Sequence, residues 1–341
     1  MKRSDAKEKV GAASHRGGTA MTMADLAALA GVSKITVSRA LRDSSLVREE
    51  VRARIKELAE AHGYRLNAAA RSLRTRRAHS VTAVLEMDPA SGRPYSDPLI
   101  LTVIGGLLQT FAMQRYRLVL TTRAEIVSAT SVVDADGLIL FGQGANDEAF
   151  QQMRRFNLPL VVWGSARAAF DDVAFVGSDN REGGRLLGAH LAGLGRRRIL
   201  FLGDRAHEEV ADRLAGLTGA VRKSAAKVTT RICQFSREAA RAVIAEELDR
   251  GWDYDAVAAC SDPVALGALD VLESAGMRTP TDVAVTGFDD AIHDPRLTTV
   301  RQDWDLAGRT LAGKMLNLLA GEEATSALLP VELVVRASTK A

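Results

Sequence analysis

Between residues 21 and 63 apolar side chains recur at helical spacing in three short runs, separated by capping and breaking residues. Thr22, followed by Asp25, offers a hydroxyl to the first free backbone amides; Leu26, Ala27, Leu29 and Ala30 then mark the apolar side of a helix. Gly31 breaks it, Val32 follows as an apolar plug, and Ser33 opens a second helix over 34–41. Ala27, Val32, Val37 and Leu41 are expected to pack together, which leaves Lys34, Ile35, Ser38 and Arg39 outward. A third helix is expected from about Glu49, with Val51, Ile55, Leu58 and Ala59 inward and Gly63 as its stop. Two short helices around one glycine, the second with an outward polar and basic face, make a helix-turn-helix.

From Val81 the pattern changes to short apolar strands alternating with amphipathic helices. Strands are expected at 81–85, 118–121, 137–141, 160–163, 174–176, 199–202, 257–259 and 283–286. Helices are expected at 99–114, 181–194, 210–223, 237–250, 263–275 and 306–319. This alternation predicts parallel α/β sheets covered on both faces, and its length suits two lobes better than one. The predicted fold is therefore an all-α helix-turn-helix domain at 21–66 followed by a two-lobed α/β core at 81–340. The first lobe is expected at about 81–165 and 304–322, the second at about 166–303 and 323–340. Residues 1–20 read as a flexible basic extension.

Charge sharpens this division. The first 80 residues hold 17 lysines and arginines against 8 acidic residues, and the remaining 261 hold 28 against 34. A basic head on an acidic body is expected when one end meets a polyanion. No apolar run approaches the length of a membrane span, and the stretch 1–18 is unlike a signal peptide, so the chain reads as cytoplasmic with no membrane partner. Cys233 and Cys260, flanked by apolar residues, read as small buried thiols.

Between the two regions, Asn67-Ala-Ala-Ala-Arg-Ser-Leu-Arg74 is helix-competent but too short to hold alone in water, and Thr75–His79 reads as a basic linker. The stretch 67–80 is thus expected to act as a hinge. In the core, polar residues gather after three expected strands: Gly203-Asp204, Ser261-Asp262 and Gly287-Phe288-Asp289-Asp290. In open parallel sheets ligands bind beyond these strand ends, and several carboxylates there suit a polyol.

The run from Met23 to Leu41, with Gly63-Tyr64 and the 67–73 segment behind it, resembles the LacI/GalR family of transcription regulators. The resemblance continues through Asp136-Gly-Leu-Ile-Leu140, Gly195-Arg-Arg-Arg-Ile199, Arg213-Leu-Ala-Gly216, Asp262-Pro-Val-Ala-Leu-Gly267, Val285-Thr-Gly-Phe-Asp-Asp290 and Leu297-Thr-Thr-Val-Arg-Gln302. It implies a body like the periplasmic sugar-binding proteins and a repressor controlled by a small-molecule effector, with no other cofactor, no metal and no catalysis. It also implies base reading in the major groove by Lys34, Ile35 and Arg39, with Ser33, Thr36 and Ser38 near phosphates. Asn67, Ala70, Arg71 and Leu73 are implied to pair over the minor groove, where Leu73 wedges into a base step. In the core it implies Arg213 as the effector clamp and Asp289 as acceptor opposite it. Gln302 is implied at a lobe crossing, Phe235 as an aromatic face, and Ser261 and Asp262 at a strand end. Asp262 reads equally well as a cap of the helix at Pro263.

Four positions depart from the family pattern. Arg48 replaces the usual hydroxyl cap of the third helix, Ser261 replaces a common Asn, and Gly164 stands where others carry a pocket Asp. The stretch 122–136 leaves little room for the usual helix. Tyr95, Ser96 and Asp97 are the expected substitutes for first-lobe specificity. No leucine heptads follow residue 319, so a homodimer on a palindromic double-stranded operator is expected rather than a coiled-coil tetramer. A nucleoside or purine effector is the alternative reading. A transport receptor is disfavoured by the head, and an enzyme by the lack of a dinucleotide fingerprint, phosphate loop, serine elbow or metal spacing among the six histidines.

Overall fold

The computed structural model describes residues 21–64, 77–86, 94–128, 134–142, 147–165, 172–292 and 294–340. The chain divides into two units, Met1–Arg76 and Arg77–Ala341. The hinge residues Asn67, Ala70, Arg71 and Leu73 lie outside the described residues.

In the first unit, α1 (Met23–Ala30), α2 (Lys34–Ala40) and α3 (Glu49–Ala61) enclose one small core. The Thr22 hydroxyl accepts from the Asp25 amide at 3.3 Å while the Asp25 carboxylate accepts from the Thr22 amide at 2.9 Å, a reciprocal cap. The Thr22 hydroxyl, which donates to the Asp25 carboxylate at 2.7 Å, and then the Thr22 amide hold that carboxyl below its usual value. Gly31 takes φ +66 and so turns the chain from α1 into α2. The Ser33 hydroxyl then accepts from the Thr36 amide at 3.1 Å. Leu26, Ala27, Ala30, Val37, Ala40, Val47, Ile55 and Ala59 are buried together. Each larger aliphatic there contributes about 1.5–3 kcal/mol of burial. Arg48 precedes α3 without a side-chain cap, as its chemistry requires.

The second unit has two parallel sheets. The first runs β11-β5-β4-β3-β1-β2, with β1 at Ser80–Leu85, β2 at Arg117–Thr122, β3 at Gly137–Phe141, β4 at Leu160–Trp163, β5 at Ala174–Ser178 and β11 at Ala327–Leu329. The second runs β7-β6-β8-β9, with β6 at Arg198–Leu202, β7 at Lys227–Arg231, β8 at Ala256–Ala259 and β9 at Ala284–Thr286. The lobe boundaries therefore differ from the sequence expectation. Residues 174–178 and 327–329 hydrogen-bond into the first sheet, through β4–β5 and β5–β11, and were expected in the second lobe. A short helix, α5 (Arg123–Ser128), occupies the start of the stretch 122–136, where little room for a helix was expected.

The other helices are α4 (Pro98–Met113), α6 (Glu148–Arg154), α7 (Asn180–Gly193), α8 (Glu208–Val221), α9 (Arg237–Asp249), α10 (Asp262–Ser274) and α11 (Trp304–Ala320). Strands β10 (Thr299–Gln302) and β12 (Val331–Val334) pair antiparallel. The chain crosses between lobes three times, at 178–180, 302–304 and 329–331, and the Asp179 amide donates to the Leu329 carbonyl at 2.9 Å to tie two crossings together.

Helices α7 and α8 approach backbone to backbone at Gly184 and Gly216. A Cβ on Gly184 would lie 1.9 Å from the Arg213 carbonyl oxygen, and one on Gly216 would lie 2.0 Å from that of Arg181. This approach places Arg213 of α8 over the first turn of α7.

Candidate ligand site and DNA-reading helix

The first site is the outward face of α2. Lys34, Ile35 and Arg39 are exposed there, Ile35 to 64%. Ser33 and Thr36 face each other, their hydroxyl oxygens 2.9 Å apart. Ser38 departs from expectation: it is buried, not outward. Arg42, one turn on, donates to its carbonyl and to its hydroxyl, each at 2.7 Å, and covers it. The exposed face thus presents an ammonium, an apolar chain and a guanidinium fork.

The second site lies at the C-terminal ends of the second sheet, where Arg213 is buried. Its Nε donates to Asn180 Oδ1 at 2.8 Å and its Nη1 donates to the Cys260 carbonyl at 2.5 Å. Its Nη2 stands 3.5 Å from Asp289 Oδ1, and the guanidinium lies 3.8 Å from the centre of the Phe288 ring. A buried guanidinium with this many fixed partners is pre-set as a planar donor. Gln302 donates to the same Asp289 oxygen at 2.7 Å, and the Trp304 indole N–H donates to the Asp289 carbonyl at 3.1 Å.

Asp289 and Asp290 have φ of +111 and +49, two non-glycine residues in succession in the left-handed half of the map. Such backbone costs on the order of 1–3 kcal/mol and persists where neighbours over-determine it.

Ser261 and Asp262 follow β8 directly. Ser261 begins α10 without a side-chain cap, and its hydroxyl has no hydrogen-bond partner among the described residues. Asp262 does not cap the helix; its Oδ1 accepts from the Thr299 hydroxyl at 2.6 Å, and Oδ2 finds no partner among the described residues. Burial, then the neighbouring Asp289 carboxylate, pushes the Asp262 carboxyl well above the usual carboxylate range, and the Thr299 hydroxyl opposes that rise. Burial therefore favours the protonated form of Asp262 beside the paired Asp289 carboxylate. Phe235 is partly buried in the second-lobe core and meets His207, just before α8, edge-on at 5.1 Å.

The first lobe contributes an aromatic wall that the sequence reading did not foresee. Trp163, at the end of β4, stacks on Phe141, at the end of β3, with centroids 6.0 Å apart and planes 18° apart. Trp304, at the start of α11, leans on Trp163 at 5.4 Å and 56°. All three stand at the strand-end side of the first sheet, beside Gly164. The terminal aromatic of an otherwise aliphatic strand was the available signal. Of the residues expected for first-lobe specificity, Asp97 is buried and caps α4, accepting from the Leu99 amide at 3.0 Å, while Tyr95 is exposed in the preceding turn. Asn180 and Phe288 were also missed, although both touch the arginine that the sequence reading chose.

A polar clamp on one lobe, an aromatic wall on the other and three crossings between them, joined in sequence to a helix-turn-helix, define a ligand-responsive DNA-binding regulator. Residues 22–67 match the bacterial regulatory proteins of the lacI family, and residues 189–339 match the periplasmic binding protein-like domain. The uncharacterized HTH-type transcriptional regulator YvdE of Bacillus subtilis (strain 168) is 32% identical over 332 residues, covering 93% of this chain and 99% of that one. The HTH-type transcriptional regulator CelR of Thermobifida fusca is 31% identical over 334 residues, covering 93% and 98%. The chain belongs to the LacI family of helix-turn-helix transcriptional regulators.

Among solved structures, a complex of the regulator CelR with cellobiose superposes with a TM-score of 0.70 at 29% identity, covering 93% of this chain and 99% of that one. The lac repressor dimer bound to operator and the anti-inducer ONPF superposes at 0.81, covering 95% and 100%; at 24% identity it supports the fold. Among the described residues no helix is long and apolar enough to cross a membrane.

Proposed function

We propose that this regulator is a cytoplasmic homodimeric repressor whose affinity for a palindromic operator is set by a small carbohydrate bound between its lobes, with no catalytic step. The observation that carries this is the adjacency of Arg213, Asp289 and Gln302 to the Trp163–Trp304 wall. A pyranose offers both surfaces such a site needs. Adjacent hydroxyls match the guanidinium fork and the carboxylate, and the C–H face of the ring matches an indole. The cellobiose held by the relative CelR supports the same ligand class. On the DNA side, Arg39 suits the two acceptors of a guanine edge and Ile35 suits a thymine methyl.

In this reading, ligand between the lobes favours one lobe orientation, and the change is passed through the crossings toward the hinge. A coupling of about 1–3 kcal/mol would change operator affinity roughly 5- to 150-fold. A second reading, a nucleoside effector, is favoured by Phe235 beside His207, since an aromatic edge pair of this kind also accepts a base.

The test is a thermal-shift screen of mono- and disaccharides against nucleosides, on the parent and on Arg213→Ala. The carbohydrate reading expects sugars to stabilise the parent, nucleosides to leave it unmoved, and Arg213→Ala to respond to neither. Stabilisation by nucleosides alone would overturn it, and a full sugar response in Arg213→Ala would overturn the site.

A further inference from the structure

Asp290 stands beside the aspartate of the ligand site but turns to different partners. Its side chain is only 1% exposed, and two arginines share it: Arg301 Nε donates to Oδ2 at 2.8 Å and Arg336 Nη2 donates to Oδ1 at 2.8 Å. Neither arginine belongs to the Asp289 loop. Arg301 lies on β10, which leads out of the second lobe into α11, and Arg336 follows β12, which returns from the first lobe. Arg336 is itself fixed, its Nη1 donating to the Leu297 carbonyl at 2.9 Å. Arg301 faces Glu332, its partner in register on β12, at 3.6 Å. The same loop is laced to β10 by the Asp289 amide, which donates to the Val300 carbonyl at 2.8 Å.

A buried carboxylate held by two guanidiniums has one strongly preferred position, because moving it strands charge in a dry site. Its backbone is then fixed as well, and the positive φ of Asp289 next to it has something to hold it in place. We propose that Asp290 is a positioning residue for the ligand site. Clamped by Arg301 and Arg336, it keeps Asp289 in its left-handed conformation with the carboxylate toward Arg213 and Gln302, and it ties that conformation to two of the crossings between lobes. The consequence for ligand rests on the carbohydrate reading above; the consequence for Asp289 does not.

The chain has three tryptophans, Trp163, Trp252 and Trp304. Trp252 donates to the Tyr254 carbonyl away from the site, so in a Trp252→Phe background the emission comes from the wall, where the Trp304 indole is bonded to Asp289. In that background Asp290→Asn keeps the shape of the side chain and removes its charge; Arg336→Met and Arg336→Lys form a second pair should the first fail to fold. The expected result is altered wall emission and cellobiose binding by calorimetry weakened on the order of tenfold. Arg336→Lys is expected to recover part of what Arg336→Met loses, in both readouts.

Unchanged emission in Asp290→Asn overturns the proposal, and so does altered emission with cellobiose affinity within about twofold of the parent. No recovery by Arg336→Lys overturns it for that pair. If the parent itself does not bind cellobiose, the emission arm alone decides the positioning role, and the missing binding counts against the carbohydrate reading.

Discussion

The indole of Trp304 donates to the backbone carbonyl of Asp289 across 3.1 Å, and this one bond joins the start of a first-lobe helix to the residue that meets Arg213. Trp304 also leans on Trp163, so the polar and aromatic halves of the site share a member. A relative movement of the lobes must either carry this bond along or break it.

Trp304→Phe tests the bond while keeping an aromatic ring in the wall. The Asp289 carbonyl would keep only the long bond from the Gln302 amide at 3.4 Å, and losing the indole donor costs about 0.5–1.5 kcal/mol. Urea unfolding should show a lower midpoint at unchanged slope. A midpoint equal to that of the parent would mean that the Gln302 amide satisfies the carbonyl by itself.

Gly184→Ala should be far more damaging than alanine usually is in a helix. The added Cβ meets the Arg213 carbonyl oxygen at 1.9 Å, so α7 and α8 must part. Overpacking of this kind costs typically 1–3 kcal/mol or more. Because the displaced residue is Arg213, sugar-induced thermal stabilisation should fall along with the melting temperature. Retention of both would show that the helices separate without moving the clamp.

Asp262 predicts a pH dependence with a definite sign. Its carboxyl titrates well above 3.8 in the folded chain, so the folded state holds this proton more tightly than the unfolded one. The stabilisation is complete below the ordinary carboxylate range and is lost as pH rises toward the raised value, at up to about 1.4 kcal/mol per pH unit. Asp262→Asn keeps a neutral polar group there and does not titrate. Unfolding midpoints from about pH 4 to about pH 8 should therefore move steadily in favour of the variant. Parallel curves would exclude a raised Asp262 carboxyl.

On the head, Arg39→Ala and Ile35→Ala should separate by kind of loss. With operators selected from random duplexes by the parent, Arg39→Ala should lose about 1–3 kcal/mol and relax the preference at one guanine. Ile35→Ala should lose less and affect a thymine. Equal weakening on selected and random DNA by Arg39→Ala would reassign that residue to the phosphates.

The head was legible because its determinants are local. Thr22, Asp25, Gly31 and Ser33 each act within three residues of themselves. Ser38 was misread because its burial depends on Arg42 folding back over it. In the body, β7 escaped notice since Lys-Val-Thr-Thr-Arg is a polar edge strand with no apolar face to announce it. Strand β5 was seen but given to the wrong lobe, because an apolar run does not carry the identity of its sheet. Arg213, Asp289 and Gln302 were legible through family resemblance. Asn180 and Phe288 were not, since their contacts with Arg213 depend on how α7, α8 and the β9–β10 loop pack.

The three crossings also bear on how the molecule is made. The first sheet is closed by β11 at Ala327–Leu329, and in the second lobe Ser338 donates to the Val285 carbonyl at 2.6 Å beside β9. Synthesis proceeds from the N-terminus, so the whole head is available to fold while both lobes still wait for their closing segments. The ribosome then releases those segments almost together. The three helices of the head thus precede in the chain every residue that the body needs to finish its two lobes.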